Sequence, residues 1–136
     1  MTQSVGRQFE TLAARYAAAW NARDLAAIMD LHHPGGSYQL HDARRETALV
    51  HGLDGIRETF AKDLARLTAI HFELLDLHEG AGHVVFRSRL TATTNTGDAI
   101  DVNTMDLLTI RDGLVMTKHT FVGGPHAPQP KGSRDV

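Results

Sequence analysis

Asp106 lies in the middle of an alternating row, Ile100, Val102, Thr104, Asp106, Leu108 and Ile110, whose other members are mostly apolar. Residues two apart share one face of a β-strand, so this spacing carries a carboxyl group onto an apolar surface. A buried carboxylate is costly unless it finds donors, keeps its proton with a raised pKa, or lines a pocket. Pairing with Arg87, Arg89 or Lys118 on neighbouring strands is the purely structural outcome; the other two point to a functional site. Tyr16 belongs to a second row. Phe9, Leu12, Ala13, Tyr16, Ala19 and Trp20 follow the three-and-four spacing of one helical stripe, which aims a phenolic hydroxyl inward.

The elements that must position these groups are readable in order. After the first helix, Asp24 is placed to cap a short second helix bearing Leu25, Ile28 and Met29, which His33, Pro34, Gly35 and Gly36 end. Ser37 to Asp42 reads as a short strand and Ala43 to His51 as a loop. Asp54 is a candidate cap for a third helix marked by Ile56, Phe60, Leu64 and Leu67. From Ile70 the chain changes character. Ile70 to His78, His83 to Thr94, Ala99 to Arg111 and Leu114 to Val122 are strand-length runs separated by the turn chemistry of residues 79–82, 95–97 and 112–113. Helices first and hairpins afterwards predict an α+β fold in which three helices pack on one face of a curved, mainly antiparallel sheet. One domain spans residues 1–124, and residues 125–136, with Pro125, Pro128 and Pro130, read as a loose tail.

Composition excludes several functions. The chain has 136 residues, a formal charge of −2 and no cysteine, so disulfides and thiolate metal sites are ruled out. Its charges are interspersed, without the basic face that nucleic acid requires. No segment has the apolar length of a membrane span, and residues 1–8 do not resemble a signal peptide, so a cytoplasmic protein is expected. Met105 and Leu107 lie opposite Asp106 and Leu108, which makes both sheet faces apolar; a homodimer through the outer face is expected.

Three strings carry a family resemblance. Residues 15–25 (RYAAAWNARDL) look like the first-helix signature of the ketosteroid isomerase and SnoaL-like families, residues 52–60 (GLDGIRETF) resemble their third-helix start, and residues 102–115 (VNTMDLLTIRDGLV) resemble their final hairpin. The similarity runs from Phe9 to Gly124 and implies the NTF2-like cone fold. Superfamily members include isomerases, cyclases, dehydratases, epoxide hydrolases and binding modules, so fold alone does not select the chemistry. The resemblance places the family's oxyanion-hole tyrosine on Tyr16 and its protonated aspartic acid on Asp106, two donors able to stabilise an enolate.

The base that would form such an enolate falls at the end of the first strand. Tyr38, Leu40 and Asp42 alternate onto one face there, with His41 opposite, so Asp42 is the first candidate and His41 the second. A histidine acting with Asp106, as in dehydratase-like members, would be His71 or His119, although the usual first-helix partner is here Asn21. An epoxide hydrolase would want an arginine where Thr104 stands. The nine histidines form no His-Glu-x-x-His pattern, so no metal is expected. Trp20, Tyr38, Phe60, Phe72, Phe86, Met116 and Phe121 are the candidate apolar walls of a substrate pocket. The expected activity is cofactor-free proton transfer on an apolar carbonyl or phenolic substrate, such as a steroid or polyketide intermediate. The rival expectation is a dimeric domain that binds a hydrophobic ligand without chemistry.

Overall fold

The computed structural model describes residues 5–45 and 47–125. Most of the tail expected at 125–136 lies outside these residues, as does the side chain of Phe9. Among the described residues nine elements follow one another: α1 (Val5–Asn21), α2 (Leu25–Asp30), β1 (His32–Asp42), β2 (Val50–His51), α3 (Leu53–Ala65), β3 (Leu67–Gly80), β4 (His83–Thr94), β5 (Ala99–Arg111) and β6 (Leu114–Pro125). The strands form one six-stranded sheet in the order β2, β1, β6, β5, β4, β3. All neighbours are antiparallel except β1 and β6. This is the expected α+β cone, its helices laid on the concave face.

Local chemistry explains the main boundaries. The Asp24 side chain accepts from Ala27 N at 3.0 Å and caps α2 as expected. Asp112 and Gly113, with φ of 55° and 74°, make the tight turn between β5 and β6; consecutive positive φ values suit the right-handed twist of a hairpin. Asn21 bridges α1 to β3, accepting from Phe72 N at 2.7 Å and donating to Phe72 O at 3.1 Å.

Three boundaries differ from the sequence reading. The residues from His33 to Gly36 do not end α2 as a turn; they lie inside β1, where the pairing with β6 shifts register between His32 and Ser37. A Cβ on Gly36 would sit 2.8 Å from the Met116 carbonyl oxygen, so the close approach of the two strands there requires glycine. Residues 50–51, expected in a loop, pair with β1 as β2. Helix α3 begins after Gly52, with Asp54 in its first turn and not as the cap, and ends at Ala65; Leu67 starts β3.

Phe60 is fully buried at the centre of the core. Its ring meets Trp20 and Tyr38 edge-on at 4.9 Å each, and His32 at 5.5 Å. Such edge contacts add to the apolar area that an aromatic cluster buries. No helix among the described residues is long and apolar enough to cross a membrane.

Candidate active site

A cavity of about 540 Å³ opens between the helices and the concave face of the sheet. Leu40 of β1, Leu67, Ile70 and Phe72 of β3, Leu90 of β4, Ile100 and Val102 of β5 and Val122 of β6 make its walls apolar. Strand alternation delivers these side chains inward, and the same alternation delivers the polar floor. Asp106 stands opposite Phe86 on β4 and Thr120 on β6. Lys118 stands opposite Leu108 on β5 and Tyr38 on β1. Asp106 and Lys118 are therefore diagonal neighbours on adjacent strands, both buried and both lining the cavity.

Burial dominates the behaviour of Asp106. Its desolvated carboxyl is held above the ordinary carboxylate range, against the pull of the Lys118 charge and of the hydrogen bond that Thr120 Oγ1 donates. Lys118 reaches inward among ring faces. Its Nζ lies 4.7 Å from the Tyr16 ring centre, 4.9 Å from those of Trp20 and Phe60, and 5.4 Å from that of Tyr38. Electron-rich ring faces of this kind favour a cation.

Behind Lys118 runs a short buried chain. Lys118 Nζ donates to Tyr16 Oη at 2.9 Å, and Tyr16 Oη lies 2.9 Å from His32 Nε2. An ammonium can only donate, so Tyr16 Oη accepts from Lys118, and the direction of its bond with His32 Nε2 is set by the histidine tautomer. Desolvation and the nearby Lys118 charge push His32 down to about 3, which keeps the ring neutral. Burial raises Tyr16 well above its usual value, and Tyr38 is pushed up to about 12 by the same cause. Among the described residues, His32 Nδ1, Trp20 Nε1 and Thr104 Oγ1 are buried without a hydrogen-bond partner.

The rim is different. Asp42 lines the mouth and accepts from Arg44 Nε at 2.9 Å and Arg44 N at 3.0 Å, with Arg45 Nε at 3.9 Å. The bond from Arg44 holds its carboxyl below the ordinary range. Asp63, also lining the cavity, pairs with Arg66 at 2.6 Å.

The residues singled out by sequence thus divide. Asp106, Asp42, Trp20, Tyr38 and Phe72 come together around the cavity. Tyr16 is inward and buried but does not line it, because Lys118 covers its hydroxyl. Phe60 and Phe86 pack in the core beneath the walls. His41, His119 and Phe121 gather on the outer face, where His41 Nε2 lies 2.9 Å from His119 Nδ1 and its ring stacks on Phe121 at 4.3 Å. His71 is exposed on β3, between Ile70 and Phe72, which point into the cavity. Met116 is not among the lining residues and lies beside Gly35.

Sequence reasoning named Lys118 only as one possible partner of Asp106, without a place in the site, and gave His32 no role. The cause is a shift in register between β5 and β6: Thr109 pairs with Thr117, but Ile110 pairs with Val115. Val115 and Lys118, three residues apart, are both buried. Alternation counted from Val115 would have turned His119 and Phe121 inward and Lys118 outward. Asn21, which stands where dehydratase-like members have the partner of their histidine, is engaged with the β3 backbone. Among the described residues no group of three or more potential ligands could hold a metal ion.

Comparison with known proteins agrees with this architecture. The SnoaL-like domain family profile matches residues 13–117, and the chain belongs to that family. Solved structures give the fold. A protein described as a SnoaL-like polyketide cyclase from Jannaschia sp. CCS1 is similar with a TM-score of 0.77 and 19% identity, covering 90% of each chain. A protein with a ketosteroid isomerase-like fold from Catenulispora acidiphila DSM 44928, solved with trimethylamine, has a TM-score of 0.71 and 18% identity, covering 80% of this chain and 82% of its own. TerC, co-crystallised with polyporic acid, has a TM-score of 0.74 and 18% identity over 85% of this chain and 91% of its own. A search of curated proteins finds no match.

Proposed function

We propose that the protein is a small SnoaL-like enzyme performing cofactor-free proton transfer on an apolar molecule that carries a carbonyl or phenolic oxygen, such as a steroid or polyketide intermediate. The observation that carries this reading is the placement of Asp106 and Lys118 as diagonal neighbours on the floor of an otherwise apolar cavity. The substrate's body fills the cone and its oxygen is seated at the floor. The Asp42 carboxylate at the mouth accepts a proton from the carbon beside the carbonyl. The electron pair left behind moves onto the oxygen, where Lys118 and a protonated Asp106 stabilise it, and Asp42 returns the proton at another carbon. Neither group needs to move, so little reorganisation opposes the step.

Asp42→Asn tests this with a β,γ-unsaturated ketone as probe. The expected loss of isomerisation is roughly a hundredfold or more, with ligand binding unchanged. Unchanged turnover would remove Asp42 from the mechanism. A second reading is favoured by one observation: Asp42 is gripped by Arg44 and Arg45, which weakens it as a base. On that reading the cone only binds its ligand, and the wild-type protein binds apolar ketones without isomerising them. A small-molecule partner is also supported by the structures of relatives solved with trimethylamine and with polyporic acid. A cation such as trimethylamine fits this chain poorly, because the ring faces already surround the Lys118 ammonium.

The outer sheet face supports a homodimer. Met105 and Phe121 are paired across β5 and β6 and are 44% and 41% exposed. A second copy would cover both, and a concentration-independent monomer mass in sedimentation would contradict this.

A further inference from the structure

We infer that Lys118, and not Tyr16, is the group that meets the ligand's oxygen, and that the cavity holds that oxygen more tightly as an anion than as a neutral carbonyl. The inference rests on the proposed function and specifies the charge state in which the floor holds the oxygen best. Three observations lead to it.

The first is position. Tyr16 Oη accepts from Lys118 and is hydrogen-bonded to His32 Nε2, and Tyr16 does not line the cavity. Lys118 lines the cavity and stands where the sequence-based reading put the tyrosine.

The second is valence. An ammonium has three donors, and one goes to Tyr16. Among the described residues no carboxylate lies within 4.0 Å of Nζ, although three carboxylates border the cavity. Ring faces favour the cation but take no conventional hydrogen bond from it. A buried ammonium with donors to spare needs an acceptor, and an anionic oxygen makes the strongest one.

The third is charge. The lining contains Lys118, Arg44, Arg45 and Arg66 against Asp42, Asp63 and Asp106, four cations to three carboxylates. At the rim, Asp42 is bound to its arginines and Asp63 to Arg66. At the floor, burial raises Asp106, and among the described residues Lys118 has no carboxylate salt-bridge partner. The chain as a whole is negative at −2, so the floor is a positive point in a negative protein. A low-dielectric setting strengthens the attraction for an anion held there. Thr104 Oγ1, buried beside Asp106 in the same lining and without a partner, offers one more donor.

The ligand class that fits is a flat or alicyclic apolar body ending in an enolate, phenolate or carboxylate. Isothermal titration with four probes of one size tests this: 2-naphthoate, 1-nitro-2-naphtholate, 2-naphthamide and 2-naphthylmethylamine. The wild-type protein is expected to bind at least one anion about tenfold or more tighter than the amide, and the ammonium probe least. A naphtholate preferred over the naphthoate assigns an enolate-like ligand; the reverse assigns a carboxylate. Lys118→Met is expected to bring the anions down to the level of the amide while weakening the amide itself far less, and an unchanged circular-dichroism spectrum reports a folded protein. Amide and anions bound equally by the wild-type protein would overturn the inference but leave the proposed function standing. An anion preference surviving in Lys118→Met would overturn the role of Lys118. Binding of none of the probes would overturn both readings.

Discussion

Asp42 and Asp106 border one cavity, yet its two ends treat a carboxyl group in opposite ways. At the mouth, Arg44 and Arg45 hold Asp42 as a carboxylate below its ordinary range. At the floor, Asp106 has no arginine, accepts one hydrogen bond from Thr120, and is held above that range by burial. One site thus contains a carboxylate committed to its ionised form and a carboxyl inclined to keep its proton. A pair pushed apart in this way is what the proposed proton transfer would use, which is why the two environments are more informative than either residue alone. The same contrast extends to the cations: the rim arginines are paired, whereas Lys118 at the floor is surrounded by rings.

The largest effect expected at the floor comes from His32. Its folded value of about 3 lies far below the ordinary 6.5, so the unfolded chain takes up a proton first as pH falls. Stability is therefore complete above pH 6.5 and is lost progressively between there and pH 3, by on the order of 4 kcal/mol. Urea denaturation across that range checks it. His32→Phe should flatten the acid limb, and an unchanged limb would place the acid sensitivity in other groups.

A smaller effect, of opposite sign at the two ends, would sharpen the comparison. Unfolded Asp106 loses its proton at lower pH than folded Asp106, so native stability falls as pH rises through that window. Asp106→Asn has no proton to lose and keeps an acceptor for Thr120. It should be more stable than the parent at pH 8 by on the order of 1 kcal/mol, a few degrees in Tm, and show no gain at pH 3. Asp42 behaves in reverse, since its lowered value makes its contribution present above the unfolded pKa and lost as pH falls through the folded one. Asp42→Asn should cost less than about 1 kcal/mol at pH 7, because its arginine partners are half-exposed. If both substitutions destabilise alike at pH 8, floor and rim are not electrostatically distinct.

Much of the fold was legible because period and punctuation agree. The Asp24 cap, the hairpin at Asp112 and Gly113, and the inward row through Asp106 all follow from local rules that the tertiary structure leaves in place. The site was legible only in part. Asp106 announced itself as a charge in apolar company, but Lys118 sits among Thr117, His119 and Thr120, a context that reads as an ordinary polar strand. Its inward orientation depends on a register shift between two strands, a property of the pairing and not of either segment. His32 was hidden for a related reason: the glycine-permitted irregularity in β1 that buries it looks, in sequence, like the end of a helix. Tyr16 was rightly read as inward, while the side chain that stands in front of it was beyond what helical spacing could tell.

The central claim is that burial at the floor of the cavity holds one carboxyl group above its ordinary range beside a lysine, while arginines at its mouth hold another below it. Carbon-13 NMR titration of the aspartate side-chain carboxyls follows Asp106 and Asp42 in the same sample. The account predicts that Asp106 titrates above the ordinary carboxylate range and Asp42 below it, and that binding of a naphtholate perturbs the Asp106 signal more than that of Asp42. Asp106 titrating at or below the ordinary range, with a signal indifferent to the bound anion, would contradict it.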